Sequence, residues 1–222
     1  MSDVNLWPSA SHALDYLAIA DTLPHRTEGE AELLRCLPTH VSRVLDLGSG
    51  DGRLLALVKL AHPESTAVAL DFSPTMVERL HSRFAGDSTV EVVVYDFDEP
   101  LPVSLGTFDA IVSSFAIHHV TDDRKRRLYG EIYALLTPGG VFCNLEHVSS
   151  PTLTLHHEFL SAISYTPETE DPSNKLLDVH TQLVWLREIG FQDVDCVWKW
   201  RELALLVGRK ASRPNHNKQI SL

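Results

Sequence analysis

The sequence has 222 residues, of which 44% are hydrophobic and 22% charged, as expected for a folded chain long enough for one α/β domain. Its 19 basic and 30 acidic residues give a formal net charge of −11, which disfavours binding to the phosphate backbone of nucleic acids. Three cysteines lie far apart, which argues against a disulfide framework. Because the sequence has neither a signal-like N-terminus nor a bilayer-spanning apolar run, we expect a cytoplasmic protein with no membrane partner.

Two helices are predicted at the N-terminus, followed by alternating strands and helices. Helices are expected over 9–22, 27–37, 51–60, 74–84, 121–136, 153–165 and 178–190. Strands are expected over 42–47, 66–71, 90–95, 108–114, 141–146, 191–200 and 202–208. The first five strands read as apolar runs, which indicates a parallel sheet covered on both faces. The last two are almost adjacent in sequence, which predicts an antiparallel hairpin.

Two local signals set expected element ends. Thr27 is predicted to be the N-cap of the second helix. The run from Pro138 to Gly140 is predicted to separate the helix over 121–136 from the next strand, because Pro and Gly interrupt regular structure.

The first strand leads into a glycine-rich turn that predicts a small-molecule site. Asp46 is followed by Gly48, Gly50 and Gly52, and an apolar helix begins directly afterwards. Glycine permits positive φ and close approach of a ligand, and a helix N-terminus presents free N–H groups. The third glycine comes one position too early for a dinucleotide fingerprint, and no Lys-Ser or Lys-Thr follows as in a P-loop.

Polar and aromatic residues also end the next strands. Asp71 ends the second strand and could accept both ribose hydroxyls, or cap the helix after it. Asp96 and Phe97 follow the third strand and could frame an adenine, or form an ordinary turn. Ser114 ends the fourth strand. Since parallel strands bind ligands at their carboxyl ends, these residues together indicate an adenine nucleoside with a vicinal diol.

Segments 44–52, 69–74, 95–98, 108–120 and 136–142 together resemble the successive motifs of the class I S-adenosylmethionine-dependent methyltransferases. The resemblance implies a Rossmann-like three-layer α/β sandwich with a seven-stranded, mostly parallel sheet and an antiparallel final hairpin. It implies S-adenosyl-L-methionine as cofactor. It also implies a single domain over 1–210, divided into a helical cap (1–40), a cofactor core (41–147), acceptor-side helices (148–190) and a closing hairpin (191–209), with a flexible tail over 211–222.

Cofactor contacts are predicted, partly from this resemblance, for one set of residues: Arg26, Asp46, Gly48, Ser49, Gly50, Asp71, Phe72, Met76, Asp96, Phe97, Ser114 and Phe115. The resemblance implies that Gly48 and Gly50 let the methionine part pass and that Asp46 faces its amino end. It also implies that the carbonyl of Ser114 contacts the ammonium. Arg26 could bind the methionine carboxylate or could equally be a solvated side chain.

Histidines after the strand ends are candidates for a general base. His118, His119 and His147 are predicted on the ligand side, and imidazole is a side chain suited to proton transfer, although packing roles stay open. A metal site is not predicted, because the adjacent His156 and His157 of a helix point in different directions.

The predicted activity is in-line transfer of a methyl group from S-adenosylmethionine to a small-molecule acceptor by a monomer or homodimer. The alternatives are a tRNA-modification-related enzyme of the same fold, including a maker of a carboxylated S-adenosylmethionine derivative, and a non-catalytic binding module. The basic run over 124–127 is expected to be a solvated helix face rather than an RNA site.

Overall fold

The computed structural model describes residues 6–20 and 22–212, so most of the predicted flexible tail lies outside the described residues. Over these residues a seven-stranded sheet forms with the order β3-β2-β1-β4-β5-β7-β6. The strands are β1 Arg43–Leu47, β2 Thr66–Asp71, β3 Val90–Val94, β4 Phe108–Ser114, β5 Leu136–His147, β6 Gln192–Trp200 and β7 Leu203–Arg209. Strands β1 to β5 are parallel, and β7 runs antiparallel to both β5 and β6. The predicted fold and closing hairpin are confirmed.

Helices cover both faces of this sheet. They are α1 Ala10–Ala20, α2 Arg26–Cys36, α3 Arg53–Ala61, α4 Pro74–Arg83, α5 Asp122–Leu135, α6 Leu153–Ala162 and α7 Val179–Ile189, with short 3-10 turns at Val103–Leu105 and Ile117–His119. In the part of the chain that the structure describes, no helix combines the length and apolarity needed to cross a bilayer.

The apolar strands are buried on both sides because successive side chains alternate between the two faces of the sheet. Val44 points into one core cluster and Leu45 into the other, and both are fully buried. Helix α2 approaches one face so closely that a Cβ on Gly29 would lie 2.8 Å from the side chain of Leu145 and 2.9 Å from Trp198. The N-terminal segment is therefore packed onto the sheet near its carboxyl-end edge.

The predicted break at Pro138–Gly140 is wrong, because β5 begins at Leu136 and continues through it. Leu136 pairs with Phe108 before an irregularity in the β4–β5 register. On the other side, the Gly139 N–H donates to the Lys210 carbonyl at 2.9 Å, and the Lys210 N–H donates to Gly140 at 2.9 Å. Contacts with distant residues thus hold as a strand a segment whose local sequence predicts a stop.

The other element ends fall within a few residues of the predictions. Helix α2 starts one residue early, so Thr27 is not its N-cap; His25 precedes the helix with a left-handed φ of 62°. Helix α6 ends at Ala162 rather than 165.

The early third glycine has a packing role. Gly52 precedes α3 with φ +83°, and a Cβ there would lie 2.6 Å from Phe84 and 2.9 Å from Leu80 of the α4 region. Gly50 also has positive φ (+57°), but a Cβ there would meet nothing within 4 Å. Of these two glycines, only Gly50 borders open space.

These two glycines predict different costs of substitution. Gly52→Ala should lower the free energy of unfolding by about 3 kcal/mol, because it combines a strained left-handed residue with overpacking. Gly50→Ala should lower it by about 1 kcal/mol, since only the backbone strain applies. Urea titration of both variants measures this, and equal losses would contradict the packing role of Gly52.

Candidate functional site

The carboxyl ends of the central parallel strands open into one cavity, here called the strand-end cleft. Residues on its walls come from α1, from the start of α2, from the glycine turn and from the segments after β2, β3 and β4. Every residue predicted to bind cofactor lines it: Arg26, Asp46, Gly48, Ser49, Gly50, Asp71, Phe72, Met76, Asp96, Phe97, Ser114 and Phe115. The fold thus brings together residues that span some 90 positions of sequence, although contact with a cofactor stays a prediction for each.

Asp71 links the two sides of this cleft. Its Oδ2 accepts the Gly50 N–H at 2.8 Å and its Oδ1 accepts the Ser73 N–H at 2.9 Å. Burial raises the pKa of Asp71 to about 6, although these two hydrogen bonds act in the opposite direction. Because each carboxylate oxygen can accept a second hydrogen bond, Asp71 fits the paired hydroxyls of a ribose.

Asp46 is the deepest acid of the cleft. It is 1% exposed, and burial raises its pKa to about 7. Its Oδ2 and the Oγ of Ser114 are buried without a hydrogen-bond partner among the described residues. A buried polar atom left unpaired is costly, so both atoms fit a donor supplied by a ligand, such as an ammonium group.

The hydroxyl of Ser49 bonds to backbone on both sides of the glycine turn. It donates to the Asp46 carbonyl at 2.9 Å and accepts the Leu70 N–H at 3.1 Å. The side chain therefore ties the glycine turn to β2. Gly48 is likewise confined, since a Cβ would lie 2.3 Å from Ala116.

Two arginines share one buried carboxylate at the edge of the cleft. Glu30 accepts from Arg26 Nε at 3.0 Å and from Arg53 at 2.8 and 2.9 Å. Arg26 is buried rather than solvated, and its guanidinium lies 5.5 Å from the ring centre of Phe115. Both guanidinium groups line the strand-end cleft, and a guanidinium suits a ligand carboxylate because it can donate two parallel hydrogen bonds to it.

Sequence reasoning missed Glu30 and Arg53 as parts of this site. The spacing of Arg26 and Glu30, four residues apart on one helix, is a signal that predicts such an ion pair.

The basic run on α5 is only partly solvated: Arg126 and Arg127 are exposed as predicted, whereas Arg124 and Lys125 are buried, which corrects the prediction for these two. Arg124 is buried and donates to Glu131 at 2.7 Å and to the carbonyl of Phe97 at 2.8 Å. Lys125 is also buried and pairs with Asp122 at 2.9 Å. Arg124 therefore anchors the Asp96–Phe97 segment of the cleft, and neither Arg124 nor Lys125 belongs to the surface.

A second cavity adjoins the strand-end cleft and shares Trp7, Tyr16, Phe115 and His119 with it. Its walls are largely apolar, with Leu23, Pro24, Phe159, Leu160, Ile163, Tyr165 and Leu203. Its polar lining includes His118, His147, Glu170, Asp171 and Asn174. Both the helical cap (1–40) and the acceptor-side helices (148–190) contribute residues to it. Trp7 and Tyr16 at the shared boundary were not predicted.

His118 is held by a buried carboxyl group. Its Nδ1 lies 2.5 Å from Glu146 Oε1, which also accepts the His147 N–H at 2.9 Å. Burial lowers the pKa of His118 well below its ordinary value and raises that of Glu146 to about 7. His118 is therefore a neutral imidazole in the wall of the second cavity.

His119 is the one of the three candidate bases that lines both cavities. Its ring centre lies 4.0 Å from that of His118 and 5.2 Å from that of Trp7. Burial, followed by the neighbouring His118, lowers its pKa well below the ordinary value. Its imidazole is thus neutral at physiological pH and able to accept a proton.

His147 is engaged by Glu202, which is fully buried. His147 Nε2 lies 3.0 Å from one oxygen of Glu202, and His156 Nδ1 lies 3.1 Å from the other. His156 also reaches Glu170 at 3.1 Å. Over residues 6–20 and 22–212, no three His, Cys, Asp or Glu side chains converge in an arrangement that could hold a metal ion.

Comparison with known proteins gives one consistent family. A family model described as a methyltransferase domain matches residues 44–140. The demethylmenaquinone methyltransferase of Clavibacter sepedonicus is 31% identical over 173 residues, covering 71% of this chain and 69% of that protein. The carboxy-S-adenosyl-L-methionine synthase of Desulforapulum autotrophicum is 26% identical over 203 residues, covering 83% of this chain and 81% of that protein.

A solved structure of an O-methyltransferase family protein from Burkholderia thailandensis shares the fold, with a TM-score of 0.72 and 19% identity over 93% of this chain. The present chain spans 62% of that structure. The sheet order, the strand-end cleft and the sequence matches agree with one another. This chain belongs to the class I S-adenosylmethionine-dependent methyltransferases.

Proposed function

We propose that this protein methylates a small acceptor with an apolar body, held in the second cavity. The observation that carries the proposal is the meeting of the strand-end cleft and the second cavity at Phe115 and His119. When bound, S-adenosylmethionine supplies an electrophilic methyl group, whose bonding electrons return to sulfur as the acceptor's lone pair forms the new bond. The chain supplies alignment, exclusion of water and a base.

The strand-end cleft holds the cofactor through complementary charges in this proposal. Asp71 accepts the ribose hydroxyls, and Asp46 accepts the ammonium of the methionine part. Arg26 donates to the carboxylate of the methionine part, and Glu30 holds Arg26 and Arg53 side by side at the cleft. Met76 and Phe97, both buried at the cleft, provide an apolar surface for adenine.

His119 takes the proton that the acceptor loses as it becomes methylated. It is preferred over His118 and His147 because it alone of the three borders both cavities. His118 and His147 line the second cavity and are engaged by Glu146 and Glu202. In this proposal, His118 and His147 hold the acceptor, or the cavity wall around it, in position.

The charge of the second cavity favours a neutral or cationic acceptor. Among the described residues that line it, none is Lys or Arg, whereas Glu170 and Asp171 are both present. An anionic acceptor would therefore face carboxylates with no compensating cation in the lining. A small molecule with an apolar ring and one neutral hydroxyl or amine matches this lining.

A second candidate is synthesis of a carboxylated S-adenosylmethionine derivative, supported by the similarity to a carboxy-S-adenosyl-L-methionine synthase. That reaction needs a carboxyl donor, and the acidic lining of the second cavity disfavours an anionic one. The burial of Arg124 and Lys125 weighs against a direct RNA substrate. The cytoplasmic location and the monomeric or dimeric state stay predictions.

Replacement of Asp71 tests the ribose assignment. Asp71→Asn should weaken binding of S-adenosylhomocysteine by more than about tenfold, because a charge-assisted hydrogen bond is lost. Isothermal titration calorimetry measures the affinity.

Asp109 gives a matched control for that variant. It also accepts two backbone N–H groups, from Ser42 at 2.9 Å and Arg43 at 3.1 Å, but at the opposite edge of the sheet. Asp109→Asn should reduce stability without changing affinity. If both variants bind S-adenosylhomocysteine like the wild type, Asp71 does not hold the ribose.

Acidification should weaken ligand binding. Because burial places the pKa of Asp46 at about 7, this acid takes up a proton as the pH falls and loses the negative charge that attracts the ligand ammonium. Affinity for S-adenosylhomocysteine should therefore fall about tenfold between about pH 8 and about pH 6, if binding lowers that pKa by about two units. Calorimetry across this range should show a weaker pH dependence for Asp46→Asn than for the wild type, with the remaining dependence coming from Asp71, whose pKa burial raises to about 6. A flat wild-type profile would contradict the role of Asp46.

Removal of the proposed base should slow methyl transfer without releasing the cofactor. Neutral phenols and amines are screened for production of S-adenosylhomocysteine, and the best acceptor is used for kinetics. His119→Gln should lower kcat by about 100-fold or more, as expected for loss of a general base, with unchanged affinity for S-adenosylhomocysteine. His157→Gln, an exposed residue of α6, is the control and should retain full activity. Equal rates for His119→Gln and wild type would exclude a base role for His119.

A further inference from the structure

We propose that Asp171 and Ser173, on the loop between α6 and α7, are positioning residues that fix the tautomer of His119. In this arrangement the Nδ1 of His119 carries the proton and its Nε2 presents the lone pair. The inference rests on the proposed function, in which His119 receives the acceptor's proton. It explains why the Nε2 of His119 is unprotonated and can accept that proton.

The direction of the hydrogen bonds follows from counting protons. The Ser173 hydroxyl donates to Asp171 Oδ1 at 2.7 Å, and the Ser173 N–H donates to the same oxygen at 2.8 Å. A hydroxyl has a single proton, so towards His119 Nδ1, at 3.0 Å, the Ser173 oxygen acts as the acceptor. Nδ1 must then carry hydrogen, and a neutral imidazole with Nδ1–H has an unprotonated Nε2.

The carboxylate at the end of this chain is stabilised in its ionised form. Burial of Asp171 favours the neutral acid, but the two hydrogen bonds from Ser173 act in the opposite direction together with the nearby His119 and His12, and the pKa is lowered overall. The second oxygen of Asp171 lies 3.2 Å from His12 Nε2 of α1. Because an ionised carboxylate is acceptor-only, it cannot donate to Ser173, which keeps the hydrogen-bond direction fixed.

Other charged groups around His119 favour its neutral form. His118 packs against its ring from the same 3-10 turn, and the ammonium of Lys175 donates to the His119 carbonyl at 2.7 Å. Burial, His118 and Lys175 all lower the pKa of His119, whereas Asp171 and Ser173 raise it. The net result is a neutral ring, for which the choice of tautomer decides whether Nε2 can act as a base.

The same loop also lines the second cavity, through Glu170, Asp171 and Asn174. Ser173 itself is 1% exposed, so water does not compete for its hydrogen bonds. The loop that lines the acceptor cavity is thus also the loop that orients His119.

Long-range 1H–15N NMR correlation of the histidine rings tests this without turnover. The uniformly 15N-labelled full chain is saturated with S-adenosylhomocysteine, and the His119 signals among its 12 histidines are assigned by their absence in His119→Gln. The wild type should show a protonated Nδ1 and an unprotonated Nε2. Ser173→Ala should shift the ring toward Nε2–H, and Ser173→Thr, which keeps the hydroxyl, should restore the wild-type pattern.

A wild-type His119 with a protonated Nε2, or an unchanged tautomer in Ser173→Ala, would overturn the proposal. The wild-type spectrum decides the tautomer even if a variant folds poorly. Calorimetry with S-adenosylhomocysteine and the acceptor screen judge the proposed function separately. A correct tautomer with no transfer to any acceptor would leave the hydrogen-bond assignment supported while removing the proposed function.

Discussion

The architecture of the site depends on the two hydrogen bonds that Asp71 accepts. One comes from the glycine turn after β1 and the other from the start of α4, so a single carboxylate fixes the distance between them. Their backbone N–H groups hold a charge that burial alone would neutralise, since burial raises the pKa of Asp71. A ligand hydroxyl that donates to the same oxygens adds to an arrangement that already exists. The strand-end cleft is in this sense pre-organised.

Buried acids recur at the successive strand ends. Asp46 and Glu146 are the penultimate residues of β1 and β5, Asp71 is the last residue of β2, and burial raises the pKa of each. Each has a different partner: the orphaned Oδ2 of Asp46 faces the cleft, Asp71 binds backbone, and Glu146 binds His118. Asp46 and Asp71 thus line the strand-end cleft, where a ligand can reach them, whereas Glu146 holds His118 in the wall of the second cavity. In the second cavity, buried carboxyl groups pair with histidines: Glu146 with His118, and Glu202 with His147.

The sheet and the position of the site could be predicted because they depend on local patterns. Apolar runs such as 66–71 mark buried strands, and the polar residues that end them must meet at one edge of a parallel sheet. The continuation of β5 through Pro138 could not be predicted, because it depends on Lys210 at the end of β7. Likewise, the local sequence predicts that four adjacent basic residues on a helix are solvated, because it does not show that Arg124 has a partner in a distant segment. Contacts between residues that are distant in the sequence cannot be predicted from local patterns.

The central claim is that the strand-end cleft delivers a methyl group to the boundary shared with the second cavity. A crystal structure with S-adenosylhomocysteine tests it most directly. The account predicts ribose hydroxyls on Asp71, the amino group at Asp46 and the sulfur beside Phe115 and His119. A sulfur that points away from the second cavity, or a nucleoside bound outside the strand-end cleft, would contradict it.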